Sequence, residues 1–261
     1  MADKKHIANL AGFVILVIFM ISSGLFKDNK PSAPQSSSSS SQSVPEGRST
    51  IPKGPWPAVE SNQTIEVAAD PLGTNYYVIL DTSGSMKNTV AGRVKIDAAK
   101  DALKVFSENL PEEANLGLAT FSPVGERVPI GTQNRPDFVR AVDAASARGQ
   151  TPLIQSIDLG FKALTAQALK QSGYGRYILV IVTDGESSDG DPQQIARDVV
   201  KHSAIEVQVV GFGLKNHALN IPGFTEYYVA DSIDSLIKAL KSIVSSESED
   251  FVDPTDFSSS I

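Results

Sequence analysis

Short apolar runs alternate with amphipathic stretches between residues 75 and 244, and this alternation predicts strands that are separated by helices. The runs predicted as strands are residues 75–80, 114–121, 126–131, 176–185, 205–213 and 226–230. Stretches with apolar residues at every third or fourth position predict helices over 93–110, 135–147, a long segment after Thr151, 192–202 and 232–244. Pro129 indicates that the third strand lies at a sheet edge, because proline cannot donate a ladder hydrogen bond.

The order of these elements predicts an α/β fold. Fully apolar strands that are connected by helices form a mostly parallel sheet whose two faces are both covered. Since such crossovers are right-handed, we expect a doubly wound, open, six-stranded sheet with helices on both faces. In folds of this type, ligands bind beyond the carboxyl ends of the strands, where the strand order reverses.

The chain begins with a segment that is typical of membrane targeting. Lys4 and Lys5 precede an apolar run from Ile7 to Phe26. A helix of about 20 residues is roughly 30 Å long, which matches the hydrocarbon core of a bilayer. We expect residues 1–26 to be a transmembrane anchor with a cytoplasmic N-terminus, or alternatively a cleaved signal peptide. Either interpretation exports the rest of the chain, tethered in the periplasm or outside the cell, or secreted after cleavage.

Composition divides the remainder into three parts. Residues 27–69 are rich in serine and proline, which predicts a disordered linker. The alternating elements predict a domain over residues 70–246, and residues 247–261 predict an acidic, disordered tail. The formal net charge of -7 argues against a nucleic-acid partner, which normally binds a basic face. The absence of cysteine excludes disulfides, zinc–thiolate sites and a thiol nucleophile.

Oxygen-bearing side chains follow the predicted strands in three loops. The stretch YYVILDTSGSM, residues 76–86, places Asp81, Ser83 and Ser85 on alternate positions directly after the first strand. Thr151 lies in GQTPL before the long helix, and Asp184 lies in VTDG at the end of the fourth strand. Hard oxygen donors of this kind suit Mg²⁺, with Mn²⁺ or Ca²⁺ as substitutes.

The motifs DTSGS, GQTPL and TDG, in this order and within this alternation of strands and helices, resemble the von Willebrand factor type A (vWA) domain and its metal-ion-dependent adhesion site. The resemblance covers residues 72–246 and implies the Rossmann-like vWA fold. It implies that Ser83 and Ser85 bind the ion through their hydroxyls, that Asp81 and Asp184 act mostly through bound waters, and that Thr151 binds directly or through water. Gly84 and Gly185 would let the loops turn tightly.

A site of this kind is suited to protein recognition. Neutral hydroxyls leave most of the charge of the ion uncompensated, so an open coordination position favours an incoming anion. The resemblance therefore implies an adhesion module that captures an Asp or Glu of a protein partner. The rival interpretation is an assembly or accessory subunit of a membrane or ATPase-linked complex whose metal site is incidental.

The same residues also fit simpler interpretations. Asp81, Ser83 and Thr151 are also residue types that cap helices, and Pro152 fits the first position of a helix. Residues 184–191 resemble a calcium loop, but Asp189 stands where an EF-hand requires glycine.

An enzymatic role is the least favoured. His6, His202 and His217 have no evident catalytic partner and are expected at the surface, and TSGSM is not a G-x-S-x-G nucleophile elbow. Asp81 lacks the second aspartate, two residues on, of phosphatase-type nucleophiles, because that position is Ser83. We therefore expect no catalytic residues, and a metal-dependent hydrolase is the remaining alternative.

Overall fold

The fold is an α/β sandwich around a six-stranded sheet, as a computed structural model of the chain describes it for residues 49–59 and 64–245. The strands of the sheet are β1 (Thr74–Leu80), β4 (Asn115–Thr120), β5 (Gly125–Gly131), β6 (Arg176–Thr183), β7 (Ile205–Phe212) and β8 (Thr225–Ala230). They are ordered β5-β4-β1-β6-β7-β8, and every pair is parallel except β4 with β5. The predicted mostly parallel, six-stranded sheet with Pro129 in an edge strand is confirmed.

Helices cover both faces of this sheet. They are α1 (Lys95–Asn109), α2 (Arg135–Ala144), α3 (Leu153–Lys170), α4 (Gln193–His202) and α5 (Ile233–Ser245). Buried residues of α1, α2 and α5 form one apolar cluster on one face, and those of α3 and α4 form another on the opposite face. The predicted doubly wound arrangement is therefore confirmed.

Strand β1 lies between β4 and β6 in the centre of the sheet, which explains its unbroken apolar sequence. Tyr76, Val78 and Leu80 contribute to the cluster of α1, while Tyr77 and Ile79 contribute to that of α3, and all five are fully buried. From β1 the chain continues to β4 on one side, whereas from β6 it continues to β7 on the other. The strand order thus reverses between β1 and β6, and the carboxyl ends of these two strands define the expected ligand position.

Helix α2 ends at Ala144, three residues earlier than predicted, and two further local features differ from the predicted elements. Helix α1 begins at Lys95, two residues later than expected, because Arg93–Val94 (β3) pairs with Thr89–Val90 (β2) in a small antiparallel hairpin. A 3₁₀ helix, Gly84–Lys87, follows the first strand and was not predicted. Short elements of this kind have too few residues to display a periodicity.

Part of the segment assigned to the linker packs against the domain. Ile51 is buried in the cluster of α3, and the ring of Trp56 meets that of Tyr177 edge-on, with 5.1 Å between ring centroids. Trp56 Nε1 donates a hydrogen bond to Thr165 Oγ1 at 2.8 Å. These contacts hold the stretch on the domain, although its serine and proline content predicts no structure.

The predicted anchor, residues 1–26, lies outside the described residues, as do most of the predicted linker and the predicted tail at 247–261. Among the helices that the structure does describe, none is both long and apolar enough to cross a bilayer.

Candidate metal centre

The two predicted carboxylates meet at the carboxyl ends of β1 and β6. These strands pair in parallel, with Leu80 opposite Val182, and the Asp81 N–H donates to Val182 O at 2.9 Å. Asp81 is therefore the residue that follows β1, and Asp184 is the residue that follows β6. Both are buried in the protein. The sheet thus brings side chains that are distant in sequence to one point at the carboxyl ends of its strands.

Asp81 organises the first loop with both of its oxygens. Oδ1 accepts a hydrogen bond from the Ser83 N–H at 2.7 Å, and Oδ2 accepts one from the Thr183 hydroxyl at 2.7 Å. Burial raises the pKa of the Asp81 carboxyl above its ordinary value, and these hydrogen bonds oppose that effect without reversing it. A buried carboxylate of this kind gains most from a nearby positive charge.

A chain of oxygens leads from the first loop to the third. The hydroxyls of Ser83 and Ser85 are 2.8 Å apart, and the Ser85 hydroxyl donates to Asp184 Oδ1 at 2.6 Å. Ser83 stands at the start of the 3₁₀ helix, but its side chain makes no capping hydrogen bond. The alternative interpretation of Ser83 as a helix cap therefore fails.

Thr151 approaches the same point through Gly185. A methyl group added at Gly185 would lie 3.3 Å from Thr151 Oγ1 and 3.5 Å from Ser85 Oγ, so the side chains of the first and second loops approach Gly185 of the third loop closely. Thr151 itself is buried. The structure thus brings all five predicted residues together: Asp81, Ser83, Ser85, Thr151 and Asp184.

A lysine that sequence reasoning missed completes this cluster. Lys95, the first residue of α1, donates from Nζ to Asp184 Oδ2 at 2.8 Å, and its side chain is only 13% exposed. Its end lies against Gly213, where an added methyl group would be 3.3 Å from Nζ. An ammonium ion therefore compensates the charge of Asp184 at the end of the oxygen chain.

Asp189 holds the amino end of α3. Its carboxylate accepts hydrogen bonds from the backbone N–H groups of Ile154 at 3.1 Å and Gln155 at 3.0 Å. The Ser187 hydroxyl also donates to it, at 2.7 Å. Asp189 is thus a helix cap supplied by the third loop, and this role replaces the weaker interpretation of 184–191 as a calcium loop. The cap also ties the loop of Asp184 to the helix that follows Thr151.

His217 was expected at the surface, and this expectation is wrong. The residue is buried, its Nδ1 accepts a hydrogen bond from the Leu219 N–H at 3.1 Å, and its Nε2 lies 2.9 Å from Gly185 O. Because Nδ1 is the acceptor, Nε2 carries the proton and donates to Gly185 O. His217 therefore supports the residue that follows Asp184 and does not lie in solvent.

The five candidate metal ligands are all oxygen donors. No group of three or more His, Cys, Asp and Glu side chains in the described parts of the chain could hold a metal. The cluster instead combines two carboxylates with three hydroxyls, which is the oxygen chemistry of a hard cation such as Mg²⁺. The Lys95 ammonium, bound to Asp184 Oδ2, marks a position where this cluster accommodates positive charge.

Residues 76–186 match the family model of the von Willebrand factor type A domain. The protein YwmC of Bacillus subtilis (strain 168), named as uncharacterized, is 26% identical over 196 residues, which cover 67% of this chain and 83% of YwmC. The crystal structure of the conserved hypothetical protein BatB from Bacteroides thetaiotaomicron is similar, with a TM-score of 0.57, 18% identity, and coverage of 67% of this chain and 98% of BatB.

A crystal structure of the pilus adhesin SpaC from Lactobacillus rhamnosus GG is similar over 70% of this chain and 31% of SpaC, with a TM-score of 0.55 and 16% identity. At this level of identity, the likeness to BatB and to SpaC concerns the fold alone. The family match over residues 76–186 and the doubly wound fold together support a von Willebrand factor type A domain in this chain.

Proposed function

We propose that this vWA domain binds a protein partner by capturing an Asp or Glu side chain of that partner through a divalent cation, with Mg²⁺ as the expected ion. The observation that carries the proposal is the chain of oxygens from Ser83 through Ser85 to Asp184, with the Lys95 ammonium at its end. Hydroxyl and carboxylate donors from the first and third loops, with the Thr151 hydroxyl of the second loop beside them, form a cradle for a cation.

The residues would divide the task according to their chemistry. Ser83, Ser85 and Thr151 offer neutral hydroxyl oxygens, and Asp81 and Asp184 offer the negative charge. Both carboxylate oxygens of Asp81 already accept hydrogen bonds, from the Ser83 N–H and the Thr183 hydroxyl. Asp81 would therefore hold the loop in place and stabilise a nearby cation through its charge. When bound, the ion would supply a positive charge to which an acidic side chain of a partner could bind.

The fold supports a role in protein interaction. A pilus adhesin is among the structures that share it. We accordingly propose a binding module and not an enzyme. The expected N-terminal anchor would tether the domain in the periplasm or outside the cell.

Two measurements on the full chain test this function. Isothermal titration calorimetry with MgCl₂ measures uptake of the ion, and fluorescence anisotropy measures binding of a labelled hexaglutamate peptide, as a surrogate acidic partner, in Mg²⁺ and in EDTA. We expect the wild-type protein to bind the peptide more tightly in Mg²⁺. Ser85→Ala should lose both ion uptake and the effect of Mg²⁺ on the peptide.

Ser242→Ala is the matched control, because among the described residues its hydroxyl donates only to Lys238 O within its own helix, away from the site. This variant should behave as the wild type. A wild-type protein without Mg²⁺ uptake, or peptide binding that is equal in Mg²⁺ and EDTA, would overturn the proposal. Ion uptake without any effect on the peptide would favour the accessory-subunit interpretation, and turnover of a phosphate or carboxylic ester would favour a hydrolase.

A further inference from the structure

A second feature of the same sheet edge is a cavity of about 370 Å³ beside the candidate metal centre. Buried residues at the ends of β1 and β4, Thr82 and Phe121, form its base. Its rim includes Ala145, Arg127 and Arg148. The volume is within the range of pockets that bind small molecules or a few residues of a peptide, which is about 300–1,000 Å³.

Two backbone hydrogen bonds join a loop that lines the cavity to the loop that carries Ser83. The Arg148 N–H donates to Thr82 O at 2.7 Å, and the Gly84 N–H donates to Gly149 O at 3.0 Å. These two bonds hold the residues on either side of Ser83. Gly149 has a φ of +74°, and an added methyl group there would collide with the Ser122 hydroxyl, so only glycine allows this close connection. A ligand at the metal centre therefore lies next to the cavity.

The charge of the cavity is positive. Arg127 and Arg148 are among its lining residues, and no carboxylate is. Within the described part of the chain, neither guanidinium takes part in an ion pair. In a protein with a net charge of -7, two arginines in a cavity that no carboxylate lines reverse the overall charge locally.

The guanidinium groups of both arginines form hydrogen bonds within the domain and retain further N–H donors. Arg127 donates from Nε to Thr120 Oγ1 at 2.8 Å and from Nη2 to Pro123 O at 2.7 Å. Arg148 donates from Nε to Ser122 O at 3.2 Å. Both side chains are exposed, and the guanidinium N–H groups that these bonds do not use can donate to a carboxylate.

From this we propose that the arginine cavity, formed around Arg127 and Arg148, binds a second acidic group of the same protein partner. This inference rests on the proposed function, since it assumes that a first acidic group meets the metal ion. It defines the partner chemically as a peptide segment with two or more closely spaced acidic residues. A segment with a single acidic residue would engage only one half of the surface.

The test uses the full chain, the labelled hexaglutamate peptide, and the double variant Arg127→Gln/Arg148→Gln. We expect this variant to bind the peptide at least about tenfold more weakly than the wild type in Mg²⁺, and to remain weaker in EDTA. Its affinity for Mg²⁺ should not fall, and its melting temperature should drop by only a few degrees, because the three side-chain hydrogen bonds of the arginines are lost. Hexaglutamine should bind neither protein.

The double variant Lys170→Gln/Lys201→Gln is the matched control for net charge. Both lysines lie in the last turns of α3 and α4, and neither lines the cavity. It should bind the peptide as the wild type does. Equal losses in the two double variants would overturn the cavity proposal, because they would indicate only a long-range charge effect, as would full binding by Arg127→Gln/Arg148→Gln.

The two proposals fail in different ways. Peptide binding that depends on the arginines but is the same in Mg²⁺ and EDTA would overturn the metal-mediated function and leave the cavity as an acidic-peptide site. Binding that depends on Mg²⁺ and Ser85 but not on the arginines would overturn the cavity proposal alone.

Discussion

The Nζ atom of Lys95 lies 2.8 Å from Oδ2 of Asp184, inside the loop cluster that carries the candidate metal ligands. An ammonium and a divalent cation repel each other strongly when both lie near one carboxylate in a partly buried site. Lys95 must therefore either move aside when an ion binds or reduce the affinity of the site for that ion. In both cases the lysine sets a threshold for ion uptake.

We expect Lys95→Met to bind Mg²⁺ at least about tenfold more tightly than the wild type, a gain of about 1.4 kcal/mol. Methionine retains the length of the side chain and removes its charge. Isothermal titration calorimetry measures the change. Lys100→Met is the control, since Lys100 is in the same helix and contacts Asp143 O instead of the site. Equal or weaker affinity in Lys95→Met would contradict a competing role.

Asp189 couples the third loop to α3, so its removal should affect both stability and ion binding. We expect Asp189→Ala to lower the free energy of unfolding by about 1 kcal/mol through loss of the cap, and to weaken Mg²⁺ binding because the Thr151 loop loses a support. Urea denaturation and calorimetry measure the two effects. Asp191→Ala removes the side-chain carboxylate that accepts a hydrogen bond from the Gln193 N–H at the start of α4, and should lower stability alone. Unchanged Mg²⁺ affinity in Asp189→Ala would show that the cap and the site are independent.

Trp56 fixes the segment of residues 49–59 on α3. We expect Trp56→Ala to reduce the free energy of unfolding by about 2 kcal/mol, less than for a fully buried tryptophan because Trp56 is only half-buried. The substitution removes the edge-on contact with Tyr177 and the hydrogen bond to Thr165. Urea denaturation measures this change, and Val59→Ala, at a position that is 67% exposed, should have little effect. A stability equal to that of the wild type would mean that the segment contributes nothing to the domain.

The phenol of Tyr227 should ionise at a higher pH than that of a free tyrosine. Burial, with a smaller effect from the Glu186 carboxylate, raises the pKa of Tyr227 to about 12. Since the unfolded-state pKa is about 10, the stability contribution of the neutral phenol is complete below pH 10 and is lost as the pH rises through 12. The difference in tyrosinate absorbance between the wild type and Tyr227→Phe should have a midpoint near pH 12 in the folded protein and near 10 in urea. A folded-state midpoint near 10 would contradict the proposed burial effect.

The sequence was sufficient for the parts of this protein that depend on local pattern. The apolar runs locate the strands, and Asp81, Ser83 and Ser85 stand close together in the chain as well as in the fold. The parallel sheet then accounts for Asp184, because the carboxyl ends of β1 and β6 meet at one edge.

The missing parts depend on contacts between distant positions. Lys95 is 89 positions from Asp184, and at the start of an amphipathic helix it resembles any solvent-exposed lysine. His217 forms a hydrogen bond with the backbone of Gly185, and Asp189 accepts one from the backbone of α3. No periodicity of side chains indicates such contacts. Trp56 occurs in a proline-rich stretch whose composition obscured a single anchoring aromatic residue.

The packing of Ile51 and Trp56 on α3 has a mechanical consequence. Tension applied to the chain before residue 49 would act first on these contacts, and so on α3, before it reached the central strand β1. The amino end of the same helix is clamped by the loop of Asp184 and directly follows Thr151. If the proposed function holds, a pull on the chain before residue 49 would therefore be transmitted along α3 to the candidate metal centre.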